Sequence, residues 1–248
     1  MLPAFVINLD RSPDRLEAMR QEFGRVGVPF TRFSGVDTLG MPAAELEAFF
    51  NLRPGFEPHR RLPGDAGNFL SHLRIWEAVT AGSEPVVAVF EDDVHLAADL
   101  PLLLSSADWL PDDADVVRFE ANSRMVLSSG RPLPGLPKRK IYRAESGTWG
   151  TAGYVIRREA AARLAVTPAA LHTHIDWFMF KPTRSPVAAS LARYQIVPAL
   201  CIQDHFLRGE QATMPSIVSD GIREVRPLRQ SFLSRFIPRR KRVVPFLP

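Results

Sequence analysis

Residues 85–90, Pro-Val-Val-Ala-Val-Phe, form an unbroken apolar run that stops at three consecutive carboxylates, Glu91-Asp92-Asp93. A run of this length without alternation is the mark of a strand buried on both faces, which requires a sheet covered by helices on each side. The flanking segments agree. Residues 4–9 are a short strand-forming run, followed by Ser12-Pro13, a helix start with Leu16, Met19, Phe23 and Val26 at helical spacing. Residues 30–36 read as a second strand ending at Asp37, and 43–50 as a short helix. A helix over 66–81 carries Phe69, Leu70, Leu73, Trp76 and Val79 on one face and breaks at Gly82.

Beyond the acidic triplet the alternation continues, with a helix around 100–109, a strand over 114–120 that ends in Glu120, and a proline-rich basic loop over 128–140. A strand over 140–144, small residues over 147–153, a short strand at 154–156 and a helix over 158–165 follow. Residues 175–180 form a short apolar segment headed by Asp176, and 194–202 a last strand leading to Gln203-Asp204-His205. Strand and helix in turn predict one α/β domain with a mostly parallel, Rossmann-like sheet flanked by helices. A length of 248 residues suits one large core.

The formal charge of +4 is unevenly distributed. From Arg226 onward there are seven basic residues and no acidic one; taking these from 31 leaves 24 basic against 27 acidic residues over 1–225. The chain therefore reads as a mildly acidic domain over 1–225 and a basic tail over 226–248, which gives no ground for nucleic-acid binding. The tail also carries Phe232, Leu233, Phe236 and Ile237. Such a segment suits the anionic face of a membrane, and equally a solvated tail. The single cysteine, Cys201, excludes an internal disulfide and a multi-cysteine zinc site. With no signal peptide and no apolar stretch long enough to span a bilayer, the expected location is the cytoplasm, with possible attachment to the inner membrane face.

In open α/β sheets, ligands bind where strands end, so the polar residues just after apolar runs carry the functional reading. Three adjacent carboxylates repel one another unless a cation or ligand compensates them. On an extended backbone Glu91 and Asp93 share a side, which fits a hard divalent ion such as Mn²⁺ or Mg²⁺. A solvated turn with capping carboxylates is the plainer alternative.

Read in order, 5–15 (FVINLDRSPDR), 67–72 (GNFLSH), 89–94 (VFEDDV) and the stretch from Gly147-Thr148 to Gly153-Tyr154 with Ala160-Ala161 resemble glycosyltransferase family 25, which includes bacterial lipooligosaccharide galactosyltransferases. The resemblance covers roughly residues 2–205 and rests on the ordered set rather than on any one motif. It implies a GT-A-type fold, a UDP-sugar donor, usually UDP-galactose or UDP-glucose, and inversion at the anomeric carbon. The acceptor it implies is a glycan or glycolipid, in lipopolysaccharide or lipooligosaccharide biosynthesis.

Under that resemblance Asp93 is the expected metal ligand and His205 a second one, although His205 also reads as an exposed loop histidine. Glu91 and Asp92 would orient the donor. Asn8, Arg11, Arg15 and Asp37 fall at the ends of the first two strands, where uridine and phosphates would lie, and Arg11 and Arg15 flank a helix N-terminus. Arg15 has Asp14 and Glu17 as local alternative partners. Ser71 and His72 join the donor site by the resemblance, against a plain reading as buried, hydrogen-bonded core. Inversion needs a base for the acceptor hydroxyl, and Asp176 and Glu120 are the two candidates. Asp176 also reads as a helix cap, and Glu120 as a partner of Arg118 or Arg124. Trp149 and Trp177 could stack on a sugar. A non-catalytic sugar-nucleotide or glycan-binding module of the same fold, and a metal-dependent nucleotidyltransferase or phosphohydrolase, are the competing readings.

Overall fold

The computed structural model describes residues 1–42, 44–45, 63–128, 132–133, 137–145, 150–166, 174–214 and 240–248. Most of the helix expected over 43–50, together with Trp149 and residues 215–239, lies outside them.

The strands are β1 (Ala4–Asn8), β2 (Thr31–Ser34), β3 (Val86–Glu91), β4 (Val94–Leu96), β5 (Val116–Arg118), β6 (Asn122–Ser128), β7 (Lys140–Arg143), β8 (Gly153–Arg157), β9 (Arg193–Val197), β10 (Cys201–Gln203) and β11 (Arg240–Val244). The helices are α1 (Pro13–Val26), α2 (Pro63–Ala81), α3 (Leu100–Leu104), α4 (Arg158–Val166), α5 (Ile175–Phe180), α6 (Pro186–Ser190) and α7 (Asp204–Arg208).

Seven strands form one sheet in the order β2-β1-β3-β8-β5-β9-β7. The pairs β1–β2, β1–β3 and β5–β9 are parallel, whereas β8 runs against both β3 and β5 and β7 against β9. Five strands thus point one way, and β3 lies inside the sheet as its apolar run predicts. Its residues alternate between two cores. Ala88 and Phe90 join Val6, Met19 and Phe23 under α1, and Val87 and Val89 join Phe69, Ile75, Trp76 and Leu164 under α2 and α4. Each Val, Leu, Ile, Phe or Met side chain among them taken from water contributes roughly 1.5–3 kcal/mol.

Three expectations change. The strand predicted over 194–202 is two strands, β9 in the main sheet and β10 in a ribbon with β4, divided at Pro198, which has no N–H for a ladder. The helix around 100–109 ends at Leu104, where the Ser105 hydroxyl bonds the Leu102 carbonyl and so competes with the helical ladder. Part of the basic tail belongs to the fold: β11 pairs antiparallel with β6, and Val244 is buried with Ala121, Ala144 and Ala199.

The direction of β8 decides what meets at the active edge. Because it runs opposite to its neighbours, its beginning lies where they end, with Gly153 opposite Phe90 and Tyr154 opposite Arg118. Residues 150–152 therefore arrive beside Glu91 and Glu120. The β10–β4 ribbon closes the same edge, placing Gln203 opposite Val94, and the Asp204 N–H donates to the Asp93 carbonyl at 2.7 Å.

Candidate active site

Asn8 ends β1 fully buried, and its side-chain amide donates to the Ser12 carbonyl at 2.9 Å and to Asp92 Oδ2 at 2.7 Å. Arg15, in the first turn of α1, puts Nη2 2.6 Å from Asp92 Oδ1 and 3.3 Å from Asp93 Oδ2. Its partners are therefore the distant carboxylates, and neither Asp14 nor Glu17. Four residues grouped by sequence at the nucleotide end separate into two sets: Asn8 and Arg15 are buried against the triplet, while Arg11 and Asp37 pair at the surface at 2.5 Å. Arg32, which sequence reasoning did not single out, bonds Asn8 Oδ1 at 3.0 Å and pairs with Asp10.

The three carboxylates of the triplet occupy different environments. Burial pushes Glu91 up, but hydrogen bonds from His72, Thr151 and Asn68 more than reverse this and leave it below the usual carboxylate range. Asp92 is raised by burial, with Arg15 and Asn8 opposing. Asp93 is pushed up to about 8, first by burial and then by Glu91 beside it, with Arg15 only partly offsetting. Gln203 Nε2 lies between the outer two, 3.3 Å from Glu91 Oε2 and 3.2 and 3.3 Å from the oxygens of Asp93.

Ser71 and His72, expected at the donor, are both buried. The Ser71 hydroxyl donates to the Gly67 carbonyl at 2.6 Å and accepts the Val36 N–H at 2.8 Å, tying α2 to the end of β2. His72 is linked through Nδ1 to the Tyr154 hydroxyl at 2.8 Å, which also accepts from Trp76 Nε1 at 3.0 Å. It reaches the site only by way of Nε2, 3.5 Å from Glu91 Oε1. Asp92 likewise spends its oxygens on Arg15 and Asn8. Through these bonds α1, α2, β1 and β8 are tied to the acidic triplet.

On the other side, Glu120 is completely buried, with Oε2 accepting the Ala152 N–H at 3.0 Å and lying 3.1 Å from Arg118 Nη2. Its Oε1 is buried with no hydrogen-bond partner, and burial pushes the carboxyl up to about 7 against the pull of Arg118. Asp176 accepts the N–H of Gly150 at 3.3 Å and of Trp177 at 2.8 Å, and burial raises it too. It is the second residue of α5, whose N-cap position is His174, so it does not cap the helix as an N-cap residue would. His205 lies in the first turn of α7 against Phe206, with Nδ1 buried and unpartnered, and burial lowers it against the opposing fields of Glu91 and Asp204. Among the described residues, no group of three or more His, Cys, Asp or Glu side chains is arranged to hold a metal ion by itself.

Buried carboxylates gathered where parallel strands end give this chain the layout of an α/β enzyme. Comparison with known proteins specifies it further. Residues 1–179 match the model of glycosyltransferase family 25 (LPS biosynthesis protein). The lacto-N-neotetraose biosynthesis glycosyltransferase LgtB of Neisseria meningitidis serogroup A is 35% identical over 214 residues, covering 80% of this chain and 73% of the relative. LgtE of Neisseria meningitidis serogroup B is 34% identical over 210 residues, with coverage of 80% and 73%. The lipooligosaccharide biosynthesis protein lic2B of Haemophilus influenzae is 27% identical over 210 residues, covering 81% and 75%. Among solved structures, a glycosyltransferase involved in glycosylation of the major capsid of PBCV-1 matches 82% of this chain and 91% of its own with a TM-score of 0.39 and 10% identity, a likeness too distant to argue from. The chain belongs to glycosyltransferase family 25 and is a glycosyltransferase.

Proposed function

We propose that this glycosyltransferase moves a hexose, galactose or glucose, from a UDP-sugar to a glycan or glycolipid acceptor with inversion at the anomeric carbon, in lipooligosaccharide or lipopolysaccharide biosynthesis. The biosynthetic setting rests on the family description and on relatives named for lacto-N-neotetraose and lipooligosaccharide synthesis. The observation that carries the reaction is the division of the buried carboxylates into two groups about one short segment. Glu91, Asp92 and Asp93 lie on one side with Arg15, and Glu120 and Asp176 meet at Gly150 on the other.

The first group suits the donor and a divalent cation, Mn²⁺ or Mg²⁺. Burial and Glu91 push the Asp93 carboxyl up to about 8 against the pull of Arg15, a shortage of positive charge that an oxygen-seeking cation would relieve. Asp93 would hold the ion, with His205 as the second protein ligand. The ion's remaining positions would be filled by the substrate's phosphates and water. The cation's contribution would be to neutralise the departing diphosphate.

The second group suits the acceptor. Glu120 has a carboxyl near neutrality and an unpartnered Oε1, the properties of a general base at pH 7. As the acceptor oxygen bonds to the anomeric carbon, its proton passes to Glu120 Oε1, and the bond from that carbon to the UDP oxygen breaks with its electron pair leaving on the diphosphate. Asp176 already accepts a backbone N–H on each of its two oxygens, which leaves it less free than Glu120 to take the proton.

A thermal-shift panel of UDP-galactose, UDP-glucose and their N-acetyl analogues with Mn²⁺, followed by an assay for released UDP with lipooligosaccharide acceptor, tests this reading. A UDP-hexose that both stabilises the protein and is consumed is expected; indifference to every UDP-sugar contradicts it.

A further inference from the structure

Three consecutive residues, Gly150, Thr151 and Ala152, touch the carboxylates of both groups. The Gly150 N–H donates to Asp176 Oδ2 at 3.3 Å. Thr151, 1% exposed, donates its hydroxyl to Glu91 Oε1 at 2.6 Å, a charge-assisted length. The Ala152 N–H donates to Glu120 Oε2 at 3.0 Å, and the Ala152 carbonyl accepts the Glu91 N–H at 3.1 Å. Gly150 has a φ of +88°, and a Cβ there would stand 2.3 Å from Glu120 Oε1 and 2.6 Å from Oε2. Glu120 can occupy its place only because residue 150 lacks a side chain.

Resting on the donor and acceptor assignment above, we infer that residues 150–152 are a positioning bracket that sets the spacing between the donor-side carboxylate Glu91 and the acceptor-side carboxylates Glu120 and Asp176. Gly150 and Thr151 are its positioning residues. The bracket is rigid for a physical reason: its backbone is committed to the β3 edge through Ala152, and Thr151 is β-branched and buried, with one χ1 setting that makes its bond. Nucleophile, anomeric carbon and base must be aligned to within a fraction of an ångström, so a small displacement of either carboxylate costs turnover far more than it costs folding.

Thr151 and Gly150 act through different partners, so their variants have different signatures. Thr151→Val keeps the shape and removes the hydroxyl; calorimetry in Mn²⁺ is expected to show UDP-galactose or UDP-glucose, whichever the wild type binds, held at least tenfold more weakly. Thr151→Ser restores the hydroxyl and is expected within twofold of the wild type. Gly150→Ala is expected to lower kcat for transfer to lipooligosaccharide at least a hundredfold, with donor Kd within threefold. Equal losses in Thr151→Val and Thr151→Ser, or wild-type kcat in Gly150→Ala, overturn the bracket. If Gly150→Ala does not fold, the Thr151 pair decides alone. Glu120→Gln and Asp176→Asn serve as controls: full turnover in both defeats the acceptor assignment itself, whereas loss of turnover there with a wild-type Thr151→Val defeats only the bracket.

Discussion

Glu120 and Asp176 sit on one glycine and differ in what they can accept. With the Glu120 carboxyl raised to about 7 by burial, the basic form is scarce below that pH and abundant above it. Turnover is therefore expected to rise through about pH 7 in the wild type and in Asp176→Asn, and to lose both this limb and most of its rate in Glu120→Gln; a pH–rate profile of the three proteins checks it. The reverse result, with Asp176→Asn the dead variant, returns the base to Asp176. The acidic triplet was legible in the sequence because three neighbouring carboxylates are a local anomaly. Arg15 was legible as a charge near a helix start, but its partners were not, since Asp92 and Asp93 become neighbours only when β1 and β3 pair. Gln203 was marked only as part of the polar Gln203-Asp204-His205 end of a strand, and Thr151 only as a member of a run of small residues; the carboxylates they bond follow from what the sheet brings opposite them.

At the scale of elements, the apolar runs of β1, β3 and β5 and the helical spacings of α1 and α2 were readable because burial imposes them directly. The antiparallel sense of β8 was not, because a strand buried on both faces has the same composition in either direction. Nor were β4 and β10, three residues each, too short for a period to show. The close approach of β8 to its surroundings explains a second glycine. A Cβ at Gly153 would lie 2.3 Å from Cys201 Sγ and 2.8 Å from the Phe119 ring, so Gly153→Ala is expected to destabilise by about 1–3 kcal/mol, as overpacked cores do. Chemical denaturation should show this, and Cys201→Ala in the same chain should recover part of it; an unchanged midpoint in the single variant would contradict the packing described.

For the whole molecule, the +4 charge is the sum of an acidic body and a basic stretch after Val225, but the division is not that of a body and a loose tail. Residues 240–248 belong to the fold: Val244 is buried, the Pro245 carbonyl accepts the Ala199 N–H at 2.7 Å, and the Leu247 carbonyl accepts from Arg139 at 3.2 Å. Truncation after Val225 is thus expected to cost about 2 kcal/mol from Val244 alone, a Tm decrease of about 4–8 °C. A truncated chain that melts like the full one would contradict this. Membrane attachment through residues 232–237, one of the two readings the sequence leaves for the tail, is tested by a gentler change: replacing Phe232, Leu233, Phe236 and Ile237 by serine abolishes sedimentation with anionic phosphatidylglycerol vesicles if the segment attaches, and unchanged sedimentation eliminates attachment through it. No helix among the described residues is long and apolar enough to cross a membrane. Asp93, the most strongly raised carboxylate of the triplet, is the residue on which the proposed transfer depends most. Hexose transfer from the UDP-sugar, measured with Asp93→Asn alongside Mn²⁺-induced stabilisation, tests it most directly: the variant is expected to fold with a near-wild-type Tm, lose the Mn²⁺ response and lose transfer by about a thousandfold. Full transfer in Asp93→Asn, or wild-type transfer undiminished by EDTA, would contradict it.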